Sequence, residues 1–458
     1  MTEGYDEAHD AQGRPRPHYE AVFGLLDDTD VGALRAEVAQ RLAREQVSFG
    51  DAPFLVDPVP RIMPAAEWKK LAAGLEQRTR ALNAFVADAY GDRRMVAAGR
   101  IPADVIDGAE GYELDLAGAW PADQVPAGVA GLDVVRAPDG ELLVLEDNLR
   151  TPSGFTYAVA ARAAVGDALP AAALEPADLA GPLFAALDAA LRAAAPPGVD
   201  DPQAVVLTDS HPNGAAYEHA TVARRLGLPL VTAWQLEPHR GGLRVALEDG
   251  TRVDVDVVYR RTDEDRVRGD HGRLTAVAEL LLAPWLAGRI GLVNGFGAGV
   301  GDDKLVHGYV EEMVRFFLGE EPLIRSVPTI GLADAGAAAE VLGDLRSFVV
   351  KPRWGFGGQG VVVCAHADDQ DLRRLSKRVG ERPDRFVAQR TITLSHHPTV
   401  VADGVLEPRH VDLRPFVLST PTDAGVIPGG LTRFAMTRGA LVVNSSQKGG
   451  GKDTWVTA

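Results

Sequence analysis

One cysteine, Cys364, occurs among 458 residues, which excludes an intrachain disulfide and any metal site assembled from several thiolates. The apolar run Val361-Val362-Val363-Cys364 predicts that it is a small buried side chain in a strand. Long apolar segments are missing too. No window approaches the about eighteen uninterrupted apolar residues of a membrane span, and Met1 to Glu7 carries neither region of a secretion signal, so a cytoplasmic location is expected. Basic stretches interleaved with aromatics are not found, and a formal net charge of −17 repels phosphate backbones, which sets nucleic acid aside as a partner. There is no Gly-x-Ser-x-Gly motif to signal a serine nucleophile, no internal repeat and no low-complexity tract. His211, His219, His396 and His397 have no partners at metal-ligand spacing, so structural or solvent-facing roles are expected of all four.

What is present is a globular composition, 46% hydrophobic and 24% charged, in a chain long enough for about two to four domains. Helices are predicted over Asp30–Glu45, Ala65–Tyr90 and Leu183–Ala195, the last closed by the linker signal Pro196-Pro197-Gly198. A strand over Ala204–Thr208, a helix over Ala215–Leu226 and a strand over Leu230–Ala233 then form a βαβ element at Rossmann-like spacing. Two β segments follow, Gly242–Ala246 and Arg252–Tyr259, and the glycine-rich Asn294–Gly301 is expected to be a flexible joint.

Two segments carry chemistry. In the first, Gly131–Arg136 and Glu141–Glu146 flank Ala137-Pro138-Asp139-Gly140, which has the residues of a tight turn, so a β-hairpin is predicted. Pairing Arg136 with Glu141 sets Asp133 opposite Val144. The two-residue period then puts Glu146 and Asn148 on the face of Asp133 and turns Asp147 away. Two carboxylates and an amide oxygen suit magnesium, a hard cation; the competing reading is a polar strand end.

The second segment, Phe348–Val361, formally contains Gly355-x-Gly357-x-x-Gly360, but a strand rather than a helix follows, which rejects a Rossmann phosphate turn. Strand, glycine-rich turn and strand describe a hairpin whose amides can close over phosphates. Lys351 would add a point charge and Trp354 a shield, the alternative being a structural lysine beside a flexible hairpin. Gly449–Thr454 is a decoy for a P-loop: Ser446 stands where the first glycine belongs and Asp453 follows Lys452.

In this order, Asp133, Glu146-x-Asn148, Lys304, Val350-Lys351-Pro352, the glycine loop and Gln389 resemble the circularly permuted ATP-grasp proteins, the group that includes glutathionylspermidine synthetase and the larger type 2 set. The unpermuted superfamily places its metal carboxylates after the lysines. Here they come first. The likeness to the type 2 set continues through Pro60–Pro64, Leu145–Gly154, Tyr259–Arg261, Asp302–Lys304, Glu407–Phe416, Pro428–Arg433 and Asn444–Gln447.

The resemblance implies a mixed α/β and α+β chain with a circularly permuted ATP-grasp fold and a Rossmann-like subdomain. Residues 1–198 would hold an N-terminal helical region and the metal box, 199–300 the βαβ subdomain, and 301–458 the nucleotide-binding lobes. It implies ATP and Mg2+ as cofactors, with Asp133, Glu146 and Asn148 as metal ligands and Lys304, Lys351, Gly355, Gly357, Gly358, Gly360 and Gln389 on the nucleotide. Arg433 would face the transferred phosphoryl group, while Arg414 either faces phosphate or pairs with Asp412. Arg150, Thr151 and Ser153 follow the metal box and are candidates for a substrate carboxylate, against a plain turn; Arg260 and Arg261 form a substrate pocket or an ion-paired surface cluster.

Such a site makes an acyl phosphate that an amine then attacks, giving a carboxylate-amine ligase for an amino acid or peptide. A nucleotide-responsive interaction protein and a small-molecule phosphotransferase use the same motifs, and the family brings helical or transglutaminase-like partners to mind. Gly131 stands where the synthetase has an arginine, so glutathione recognition is not supported, and the chain has no amidase cysteine.

Overall fold

Proline fits both the end of a strand and the start of a helix, and in the computed structural model Pro64 does both. It closes strand β1 (Val56–Pro64) and precedes α1 (Ala65–Tyr90), which has its predicted bounds. The structure describes residues 4–169, 176–211, 213–247, 249–269, 271–355, 357–401, 404–441 and 449–457. Asn444–Gln447, part of the family resemblance, and Ser446 with it, lie outside them.

The tight turn at 137–140 joins β2 (Val129–Arg136) to β3 (Leu142–Asn148), and α2 (Phe155–Ala168) follows at once. Next comes the βαβ unit, β4 (Ala204–Thr208), α3 (Ala216–Leu226) and β5 (Leu230–Thr232), extended by β6 (Val257–Arg260) and β7 (Gly291–Val293). These strands form a parallel sheet in the order β7-β6-β4-β5, as a Rossmann-like unit requires. Arg252–Tyr259 is not one segment. The chain bends at Asp256, so Arg252–Val255 pairs in a separate antiparallel sheet while β6 enters the parallel one.

A second four-stranded sheet holds β8 (Thr329–Gly331), β9 (Phe348–Pro352), β10 (Val362–Val363) and β11 (Phe386–Arg390) in the order β8-β11-β9-β10, all antiparallel. Cys364, fully buried, lies one residue beyond β10. The chain then returns to the large sheet through β12 (Leu406–Arg414), β13 (Phe416–Ser419), β14 (Leu431–Phe434) and β15 (Gly450–Thr457), which runs β3-β2-β12-β14-β15-β1. The P-loop decoy therefore ends up in β15, a wholly buried strand parallel to β1.

Asn294–Gly301 corrects the expectation of a flexible joint: the stretch is buried. Asn294 donates to the carbonyls of Val129 at 2.7 Å and Leu149 at 2.6 Å and accepts from the Val129 amide at 2.9 Å, so it staples the metal-box hairpin to the parallel sheet. No helix among the described residues is long and apolar enough to cross a membrane.

Candidate active site

The hairpin forms with a different register from the one predicted. Arg136 pairs with Leu142 rather than Glu141, and a bulge at Leu145 shifts the pairing so that Asp133 stands opposite Glu146 instead of Val144. An extra residue in one strand re-aims the side chains beyond it, and here it makes the two carboxylates direct cross-strand neighbours. Asp147 does turn away, onto Arg78 (2.7 Å to each oxygen) and His307 (2.7 Å) behind the strand. Asn148 pairs with Gly131, and its side-chain nitrogen is buried without a hydrogen-bond partner among the described residues.

Both carboxylates face cations. Asp133 accepts from Arg414 at 2.6 and 2.9 Å and from Arg433 at 2.9 Å, and Arg433 also holds Asp412 at 2.9 and 2.5 Å. Burial alone would raise the pKa of Asp133, but the two guanidiniums outweigh it and bring the carboxyl down to about 2. Glu146 meets Lys304 at 2.9 Å, and Lys304 also donates to the Gly355 carbonyl at 3.0 Å. Burial opposes ionisation of Glu146 as well, yet Lys304 and Lys351 pull it below its ordinary range.

Lys351, on β9, is 7% exposed and has no carboxylate within 4 Å among the described residues. Burial and the charge of Lys304 push its ammonium below the usual lysine range, with Glu146 acting the other way. Lys351, Lys304, Glu146, Asp133, Gln389 and Arg433 all line one cleft, whose other walls include Val135, Leu145, Val327 and Val349. The glycine hairpin covers it. Gly355, Gly357, Gly358 and Gly360 have φ of 130°, 64°, 73° and 73°, a backbone that side chains disfavour, and Gly355, Gly358 and Gln359 reach the cleft.

The stem of that hairpin is clamped. Arg353 binds Asp303 at 3.1 Å, and Trp354 lies under Arg150, whose guanidinium carbon is 4.2 Å from the ring centroid. A Cβ at Gly111 would stand 2.4 Å from the Gly299 carbonyl and 2.7 Å from the Trp354 ring. Gly111→Ala is therefore expected to cost about 1–3 kcal/mol in urea unfolding.

The substrate candidates Arg150, Thr151, Ser153, Arg260 and Arg261 are not among the residues that line this cleft. Arg150 is held by Asp302 at 2.8 Å and Asp265 at 2.9 Å. Burial lifts Asp302 to about 6 although Arg150 opposes the shift. Ser153 Oγ accepts from Arg261 at 2.6 Å, and Arg261 also meets the buried Glu218 at 2.9 Å and the Pro152 carbonyl at 2.8 Å. Arg414 reaches the Ser153 carbonyl at 3.3 Å, which links this loop to Asp133, while Thr151 is half-buried. Arg260 donates to the carbonyls of Asn294, Asp265 and Gly295 at 3.3, 3.0 and 3.1 Å.

One histidine expectation needs correction. The ends of β4 and β6 bring ligand atoms of Asp209, His211 and Asp263 within 4.8 Å of one another, in an open, largely exposed group. His219 and His397 are buried on Thr208 (2.8 Å) and Tyr19 (3.0 Å), and His396 lies 3.8 Å from Asp6. Sequence reasoning gave no role to Arg78, Glu218 and His307, which lie in no quoted motif, nor to Asp303 and Arg353, which lie in quoted segments. Each acquires its partner only by folding.

The chain belongs to the circularly permuted ATP-grasp type 2 family, which it matches over residues 60–435. It is 43% identical over 472 residues to a Frankia alni protein named "Putative glutamate--cysteine ligase 2-3", covering 99% of this chain and 54% of that one. It is 37% identical to an uncharacterised Synechocystis sp. protein, covering 99% of this chain and 96% of that one. This chain thus spans about half the length of the Frankia relative. A glutathione synthetase-like effector from Globodera pallida, solved in apo form, shares the fold with a TM-score of 0.57 at 13% identity, over 93% of this chain and 96% of that one.

Proposed function

We propose that the chain is an ATP- and Mg2+-dependent carboxylate-amine ligase acting through an acyl phosphate on an amino acid or peptide, in the cytoplasm. The observation that carries this reading is Lys351, a buried ammonium without a carboxylate partner among the described residues, beneath a glycine hairpin and beside Glu146. A buried unpaired charge is costly, and nucleotide phosphates would offset that cost. The Frankia relative's name supports the substrate class, since it joins a carboxylate and an amine of amino-acid size. A helical or transglutaminase-like partner belongs to the same reading.

Asp133 and Glu146, direct cross-strand neighbours, would offer magnesium carboxylate oxygens and Asn148 an amide oxygen, and binding there would replace contacts that Arg414 and Arg433 now make to Asp133 and Lys304 to Glu146. When bound there, the ion would neutralise charge on the β- and γ-phosphates. Lys304 and Lys351 would hold the phosphates, and Gln389 the base. Arg433 and Arg414 would meet charge growing on the transferred phosphoryl group. A carboxylate oxygen of the substrate attacks the γ-phosphorus and ADP departs with the bonding electrons. An amine then attacks the acyl carbon, phosphate leaves, and the amine loses a proton. Arg150, Thr151, Ser153 and Arg261 would border the acid in this reading, whereas Arg260 spends its donors on backbone carbonyls.

The test incubates the protein with Mg-ATP and pools of amino acids and small peptides, measuring ADP, phosphate and product mass. Condensation with release of ADP and phosphate supports ligation. A phosphorylated product means a phosphotransferase, and binding without turnover means an interaction protein.

A pH prediction follows from Lys351. Its free-state ammonium titrates below the ordinary lysine range, so nucleotide affinity is expected to be full at lower pH and to fall as pH rises through that lowered value. Lys351→Arg, which stays charged, should remove the alkaline decline in binding titrations.

A further inference from the structure

The antiparallel sheet carries one row of directly paired residues: Thr329 opposite Gln389, Gln389 opposite Val349, and Val349 opposite Val363. Residues paired across a sheet share a face, and Gln389, Val349 and Val363 line the cleft. Gln389 is 3% exposed, so its amide must spend its hydrogen bonds on protein or on a ligand. Its nitrogen donates to Thr329 Oγ at 2.9 Å. The Thr329 hydroxyl in turn gives its proton to the Val327 carbonyl at 3.1 Å.

A hydroxyl has a single proton. Once that proton is on Val327, Thr329 faces Gln389 only as an acceptor, and the amide must turn its NH2 toward it. The amide oxygen is left as the other end of the group, with no hydrogen-bond partner among the described residues. Val135, Leu145, Val327 and Val349 give the cleft apolar walls suited to a flat ring.

We infer that Thr329 is the positioning residue for base specificity: by fixing which way the Gln389 amide faces, it presents an acceptor that takes a 6-amino purine and repels a 6-oxo one. The inference rests on the ATP reading above. Adenine offers a donor at N6 where guanine and hypoxanthine offer an acceptor at O6. A site built to hydrogen-bond one group discriminates against an analogue that leaves its polar atom unpaired. Thr329 itself does this at one remove, through Gln389.

The test titrates the full chain with Mg-ATP and Mg-ITP, which differ at the purine 6-position. The wild type should bind ATP at least about tenfold more tightly. Thr329→Val, which keeps the shape but loses the hydroxyl, should bring the two affinities within about threefold, while Thr329→Ser should keep the preference. If Thr329→Val does not fold, Gln389→Leu supplies the second reading, since removing the amide should flatten the ratio in the same way.

A wild type that binds both nucleotides equally overturns the inference and leaves the ATP reading standing. So does a Thr329→Val protein that keeps the wild-type ratio, a Thr329→Ser protein that loses it, or a Gln389→Leu protein that keeps it. A wild type that binds neither nucleotide overturns the ATP reading and this inference with it.

Discussion

Glu146→Gln is expected to lower turnover by about 10²–10³-fold while leaving the unfolding midpoint nearly unchanged. The change keeps the shape of the side chain and removes the charge that meets Lys304 at 2.9 Å across from Asp133. The replacement amide is isosteric and its oxygen can still accept from Lys304, which also keeps its bond to the Gly355 carbonyl at 3.0 Å, so the fold is expected to persist. A neutral amide is a much weaker ligand for a hard cation than a carboxylate. ADP release in the presence of the condensation substrates checks the loss, and urea unfolding checks that the fold persists. Full turnover in Glu146→Gln would remove Glu146 from the metal set.

The largest stability loss is expected from Arg78→Met, at about 3–5 kcal/mol in urea unfolding. Arg78 is 1% exposed and binds both oxygens of Asp147, itself 1% exposed, and Ser326 at 2.9 Å. Removing it leaves a buried carboxylate with His307 as its remaining side-chain partner among the described residues. The Coulomb attraction that holds the Asp147 carboxyl well below the usual carboxylate range, against burial, would then be lost. Adding Asp147→Asn to Arg78→Met should recover part of the loss, because the unpaired charge is what makes the single variant costly. The damage should also reach the site, since Asp147 lies between Glu146 and Asn148 and fixes the back of their strand. If Arg78→Met unfolds like the wild type, the network is not holding that strand.

The family resemblance was legible because it rests on residues close together in the chain. Glu146, Asn148, Lys351 and the glycine hairpin each sit in a short local pattern, and glycine at 355, 357, 358 and 360 is what a left-handed backbone demands. Local spacing also located α1, β4 and α3, where apolar periodicity and proline or glycine punctuation agree with the final packing. It failed where a single residue mattered. The bulge at Leu145 depends on how two strands settle against their neighbours, and no residue type announces it. Asn294–Gly301 has the composition of a loose joint, yet is buried because Asn294 finds backbone groups of Val129 and Leu149 far away in the chain.

The sequence by itself determined the order of the motifs and hence the permuted ATP-grasp family, since motif order is a property of the chain alone. Only the tertiary structure decided that Asp133 faces Glu146, that Arg414 and Arg433 both close on Asp133, and that Lys351 lies buried without a carboxylate partner among the described residues. The arginine contacts join segments hundreds of residues apart and the Asp133–Glu146 pairing turns on a bulge, and both are set by packing and burial, which local residue patterns do not encode.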